Sequence, residues 1–243
     1  MTQWFTIARL LPERLGINGS QASAEILAMT LRQMGHEVSL VDVHGPGDAP
    51  STVDIVTVGS GSTSQLVPAA TDVISLVRLF AQWKKSGAHW VAVGMGWDLL
   101  GESLVTADGV NVPGAGVFPS RADHRSGRFS GEVWGVDVKG RESAGYINQV
   151  GHSELLGDAT PLLTLHHERE GFPKTEGLSG SGLFATRLGG PALALNPHWA
   201  LDIVTDVLAS RGVEPERGEF HSRVEDAAAK ARAKIVQRLS SRR

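Results

Sequence analysis

Val91-Ala92-Val93-Gly94-Met95-Gly96-Trp97-Asp98-Leu99-Leu100-Gly101 is the stretch that decides the fold. The buried-type strand Trp90 to Val93 runs into glycines and then into the helix-forming Trp97-Asp98-Leu99-Leu100. A sharp strand-to-helix bend of this kind lifts the side chain at its apex out of the backbone. It also surrounds that side chain with N–H groups able to hold an oxyanion. Here the apex is Gly94, and the chain contains no cysteine. The layout of a nucleophile turn is present without a nucleophile. Asp98, in the first helical turn, is expected to interact favourably with the helix N-terminus.

Outward from this turn, the first half of the chain alternates strands and helices. Strands are predicted at Trp4 to Leu11, Val38 to Val43, Asp54 to Val58 and Trp90 to Val93. Ala24, Leu27, Ala28, Leu31 and Met34 recur at helical spacing before Gly35, and a second helix is predicted from Val67 to Lys85. Short apolar strands separated by helices imply a parallel sheet covered on both faces. The second half reads differently. Val110 to Phe118, Phe129 to Val138, Ser143 to Ile147 and Pro161 to His166 are short alternating segments, expected as antiparallel additions to the same sheet. Leu183 to Arg187 reads as a last strand and His198 to Ala209 as a helix. From Glu219 the composition suggests a solvated helix or frayed tail carrying a basic cluster: Lys230, Arg232, Lys234, Arg238, Arg242 and Arg243.

Composition narrows the function. With 243 residues, 41% hydrophobic and 20% charged, the chain can bury a full core. A net charge of −3 does not favour nucleic acid or an anionic membrane as partner. The absence of cysteine excludes disulfides, thiolate metal sites and thiol nucleophiles. No apolar run reaches the roughly 20 residues of a spanning helix. The opening Met1-Thr2-Gln3-Trp4-Phe5 lacks the pattern of a secretory leader, so a cytoplasmic protein is expected.

Several local constellations could carry chemistry. Gly59-Ser60-Gly61-Ser62-Thr63 follows a strand and precedes a helix, where backbone N–H groups can meet an anion. It lacks the lysine of a phosphate loop and the dinucleotide glycine pattern. His166 and His167 fall on a strand and point to opposite faces, which is poor metal geometry. His124 and His152 flank glycine-rich loops and could serve a site, but the default expectation for both is the solvated surface. Gly177 to Gly182 reads as a flexible loop. Arg121, Asp123, His124, Arg125 and Arg128 form a polar knot in which a guanidinium could meet a carboxylate ligand, though a solvated charged loop explains the stretch better by itself.

In order and spacing these pieces resemble class I glutamine amidotransferases of the CobB/CobQ-like type, and among them the glutaminase subunits of lipid II isoglutaminyl synthase. The resemblance covers residues 4 to 211. Asp54 to Gly61 resembles the family's strand and oxyanion loop, and Gly96-Trp97-Asp98-Leu99-Leu100-Gly101 its Gly-Tyr-Gln-Leu-Leu-Gly. Arg128-Phe129-Ser130-Gly131-Glu132 resembles Arg-x-x-Gly-Glu, and Gly145-Tyr146-Ile147-Asn148-Gln149 resembles Gly-Phe-Glu-Asn-His. Leu188-Gly189-Gly190-Pro191 with Asn196-Pro197 resembles Leu-His-Gly-Pro and its downstream Asn-Pro.

The resemblance implies a single three-layer α/β domain over residues 1–212, a mostly parallel central sheet with antiparallel additions, and a charged segment over 213–243. It implies no cofactor and no metal. Arg128, Gly61, Met95 and Asn148 are implied to line the glutamine site, with Arg128 holding the amino acid. The departures fall on the chemistry. The catalytic Cys corresponds to Gly94 and the catalytic His to Gly189, and losing a coupled catalytic unit costs on the order of 10⁶ in rate. The chain is therefore expected to be a pseudo-glutaminase. As a binding or regulatory subunit, it would pair with a Mur-ligase-like protein or a glutaminase paralogue in peptidoglycan precursor amidation. The alternatives are a sensor of glutamine or a related amino acid, and an enzyme using Ser60, Ser62 or Thr63 as nucleophile.

Overall fold

In the computed structural model, which describes residues 2–167 and 173–241, the first half winds a parallel sheet around the predicted turn. Its elements are β1 (Trp4–Leu10), α1 (Ala22–Gln33), β2 (Glu37–Val43), β3 (Ile55–Val58), α2 (Leu66–Ser75), α3 (Val77–Lys85), β4 (His89–Val93) and α4 (Met95–Leu100). All four residues of β3 are buried, as expected of a strand covered on both faces. The helix predicted over 67–85 is two helices. Leu76, fully buried, closes α2 with a tight N–H bond to Val73 and hands the chain to α3 in a new direction.

The second half supplies β5 (Ser103–Val105), β6 (Asn111–Pro113), β7 (Ser120–Asp137), β8 (Glu142–Leu155), β9 (Leu163–Leu165) and β10 (Thr175–Glu176). The chain continues with β11 (Leu178–Gly180), β12 (Leu183–Thr186), β13 (Leu188–Gly189), α5 (Ala192–Leu195), α6 (Pro197–Ser210) and α7 (Glu219–Ser240). The first sheet has the order β11-β12-β4-β3-β1-β2 and is parallel except for β11. The remaining strands form a second sheet, β10-β9-β7-β5-β6, with β8 on β7 and β13 on β8. The antiparallel segments are thus not additions to the first sheet. β7 and β8 pair with each other over most of their length, and β5, β9 and β13 take up hydrogen bonds on their other edges.

Two further expectations are corrected. The polar stretch Arg121 to Arg128 is part of β7 rather than a loop before it, with a register irregularity between Asp123 and Arg128. Gly177 to Gly182 contains an ordered hairpin. Ser181 and Gly182, at φ +53° and +74°, make the two-residue turn that joins β11 to β12.

Apolar side chains pack on both faces of the first sheet. Phe80, Trp83 and Trp90 lie in the cluster that includes α2 and α3, while Leu27, Leu31, Trp199 and Val204 join α1 to α6 on the other side. The second sheet contributes Leu104 to the former and Val133, Ile147 and Leu163 to the latter. The segment from Glu219 is one continuous helix through Ser240, with Ala228 and Arg232 buried. Arg232 donates to the Leu195 carbonyl at 2.8 Å and Arg238 pairs with Glu132, which breaks up the basic cluster. Arg242 and Arg243 lie outside the described residues. Among the described residues no helix is long and apolar enough to cross a membrane.

Candidate functional site

The turn after β4 has the geometry its sequence predicts. Gly94 adopts φ +56° and ψ −121°, a backbone conformation that costs a side-chain-bearing residue roughly 1–3 kcal/mol. Its N–H donates to the Thr186 carbonyl at 2.9 Å, and its own carbonyl accepts from Trp97 at 3.0 Å to start α4. The Gly59–Gly61 loop presses on this helix start. Gly96 N–H donates to the Gly59 carbonyl at 3.0 Å, and a Cβ on Gly96 would come within 2.4 Å of that same oxygen. The Met95 N–H, the natural oxyanion donor of such a turn, is taken by Ser60 Oγ at 3.2 Å.

The space at the apex of this turn is filled. A Cβ built on Gly94 would lie 2.1 Å from Gln149 Nε2 and 2.6 Å from Ser60 Oγ. That space is occupied by a carboxamide reaching over from β8. At Gly189 the situation is the reverse, because a Cβ there would meet only the Tyr146 carbonyl, at 3.5 Å.

These residues surround a cleft of about 590 Å³. Gly61, Met95, Arg128, Asn148 and Gly189 all line it, as do Ser60, Ser62 and Thr63, and Gly94 lies between the lining residues Val93 and Met95. Arg128 on β7 and Asn148 on β8, two register positions apart, are joined by a 2.8 Å hydrogen bond from Nη1 to Oδ1. Among the described residues there is no group of three or more His, Cys, Asp or Glu side chains able to hold a metal ion. His166 instead stacks on Trp134 at 4.3 Å between ring centroids.

Behind the cleft is a buried polar network that the sequence reading missed. Asp98 stands in the first turn of α4, and its carboxylate also anchors this network. It is 3% exposed and accepts from Arg187 Nη2 at 2.6 Å, while His124 Nε2 stands 2.9 Å from its other oxygen. His124 is therefore buried, not solvated. Arg187 also donates to Ser153 Oγ at 2.7 Å and to Gln149 Oε1 at 3.3 Å, and packs over the Trp97 ring. One signal was available: Gln149 stands where the resemblance puts a histidine. Arg187 and Asp98 are 89 positions apart, with nothing local to link them.

Glu176 is buried beside this network, accepting from the Arg187 N–H and from Thr186 Oγ1 at 2.9 Å. Burial outweighs these bonds and pushes its carboxyl up to about 7. The folded protein thus keeps a proton that the unfolded chain releases near 4.5, so the stability Glu176 contributes is full below pH 4.5 and is lost as pH rises to about 7. Burial pushes His198 down, and its contribution has the opposite sign, lost as pH falls below 6.5. The two slopes oppose each other in the parent, so a substitution separates them. Urea unfolding of Glu176→Gln is expected to show a stability gain over the parent that grows by up to about 3 kcal/mol between pH 4.5 and 8. A pH-independent difference would contradict this assignment.

A parallel sheet wrapped by helices, a strand-to-helix elbow and a facing glycine loop over a cleft together make up the fold of the glutamine amidotransferases. A crystal structure of a glutamine amidotransferase superposes with a TM-score of 0.55 at 14% identity, over 82% of this chain and 98% of that one. PurLQS and a glutamine amidotransferase, both from Thermotoga maritima, each give 0.51, at 13% and 10% identity. They cover 87% and 95% of this chain, and 99% and 93% of their own. In sequence the chain is distantly similar to the GatD subunit of the glutamine-hydrolyzing lipid II isoglutaminyl synthase of Staphylococcus aureus (strain N315). The two are 21% identical over 232 residues, which is 95% of this chain and 93% of that protein. No protein-family model matches the chain.

Proposed function

We propose that this chain is a glutamine amidotransferase-like protein that no longer hydrolyses glutamine and acts as a binding or regulatory subunit. One observation carries the reading: the nucleophile's place at Gly94 has no side chain and is filled by the Gln149 carboxamide. A thiolate is ruled out by composition. Ser60 is the nearest hydroxyl, but among the described residues its Oγ is hydrogen-bonded to the Met95 N–H and to no imidazole or carboxylate. Ser62 is engaged with Ser64. Without a base these hydroxyls are poor nucleophiles at neutral pH.

The similarity to a protein named as a synthase subunit supports a partner for this chain, either a Mur-ligase-like protein or a glutaminase paralogue, in amidation of peptidoglycan precursors. A cytoplasmic location belongs to the same proposal. Affinity isolation of the tagged chain from native extract is expected to bring down one of these two. Recovery of neither would overturn the subunit role.

The cleft also supports a ligand-binding role. Its Asp and Arg lining residues are Asp98 and Arg128, and Asp98 is spent on Arg187 and His124. Arg128 is thus the cation open to a ligand carboxylate. Calorimetry with an α-amino acid ligand is expected to show affinity falling about tenfold or more in Arg128→Ala, as for loss of a charge-assisted hydrogen bond. Unchanged affinity would remove Arg128 from the site.

A further inference from the structure

The inner end of the cleft is built from hydrogen-bond donors. A guanidinium can only donate, so the Gln149 atom that meets Arg187 Nη1 at 3.3 Å is the carbonyl Oε1, and the amide is held one way round. Nε2, a donor only, therefore lies against Gly94. Among the described residues no acceptor is hydrogen-bonded to it. Ser60 Oγ already accepts the Met95 N–H, which leaves its hydroxyl proton to donate. Nε2 and Oγ lie 2.1 and 2.6 Å from one point, the place of a Cβ on Gly94, so both address the same spot. Asp98, the carboxylate bordering this end, has its oxygens committed to Arg187 and His124.

A ligand carboxamide arriving here would turn its own N–H₂ against donors, whereas a carboxylate presents only acceptors. Arg128 stands elsewhere on the cleft wall with donors beyond the one given to Asn148. We propose that the cleft takes an acidic amino acid or a related dicarboxylate, preferring a carboxylate to a carboxamide at its inner end, and that Gln149 sets this preference. The proposal rests on the reading that the cleft binds a ligand without hydrolysing it, and it reverses the preference that a glutamine-cleaving site needs.

Calorimetric titration of the full chain with L-glutamate and with L-glutamine tests it. Glutamate is expected to bind about tenfold or more tightly than glutamine, since hydrogen bonds to charged groups are stronger and unpaired polar groups are costly. In Gln149→Ala the ratio is expected to approach one. In Gln149→Glu, which exchanges the donor for an anion, glutamate binding is expected to be lost while thermal unfolding shows a folded protein. Glutamine binding as well as glutamate, or a ratio unchanged in Gln149→Ala, would overturn the inference and leave the ligand-binding reading intact. Failure of the parent to bind either compound would overturn both.

Discussion

Asp98→Ala is expected to cost about 3–5 kcal/mol, because it removes the anion from a buried pair and leaves the Arg187 guanidinium without its charge partner. Arg187 is 5% exposed, and its Nε already has no hydrogen-bond partner. Among the described residues the freed charge would have Ser153 Oγ and the Gln149 and Val150 oxygens as hydrogen-bond acceptors, with the buried Glu176 carboxyl as the other acid that feels it. His124 would lose its partner as well. For a chain of this size the melting temperature should fall by roughly 6–20 °C. Replacing both partners, as Asp98→Leu with Arg187→Met, should recover most of the loss, since a buried pair replaced by apolar residues of similar volume is often neutral. Thermal and urea unfolding of the two variants beside the parent check this. A single-variant cost under about 1 kcal/mol would mean that the network is wetter than its burial indicates.

The second large effect concerns installing a nucleophile and a base at the turn. Gly94→Cys alone is expected to yield no glutamine hydrolysis and a less stable protein. The new Cβ meets Gln149 Nε2 at 2.1 Å, and φ at this position is +56°. Strain accounts for roughly 1–3 kcal/mol of that destabilisation. A thiol without an imidazole also lacks its proton acceptor. The triple variant Gly94→Cys, Gly189→His, Gln149→Ala removes the Gln149 clash and supplies an imidazole, and a Cβ at Gly189 meets nothing nearer than 3.5 Å among the described residues. Members of a coupled catalytic unit act together, so ammonia release is expected to rise on the order of 10³-fold or more over the single variant. A silent triple variant would show that the elbow and the cleft are not aligned for amide attack.

The parts of this architecture that were readable from the chain are those specified locally. The elbow shows in the switch from β-branched residues to Gly94-Met95-Gly96, and β3 in four consecutive buried residues. Gly59, Gly61 and Gly96 show because two backbones approach more closely than a Cβ permits. The second sheet was not readable as separate. Half of β7 carries charged residues facing solvent and the cleft, so the alternation that marks a half-buried strand is missing from Arg121 to Arg128. The pairing of Asp98 with Arg187 depends on tertiary closure of distant segments, and each residue alone reads as an ordinary surface charge. α7 looked solvated because only Ala228 and Arg232 along it are buried, and one of these is itself charged.

The central claim is that a carboxamide has taken the place of the nucleophile. It is tested most directly by incubating the purified chain with glutamine labelled with ¹⁵N at the side-chain amide and following labelled ammonium by NMR. No ammonium is expected above the protein-free control. Release that scales with protein concentration and disappears in Ser60→Ala would contradict the account, because it would show a working nucleophile at the spot that Gln149 fills.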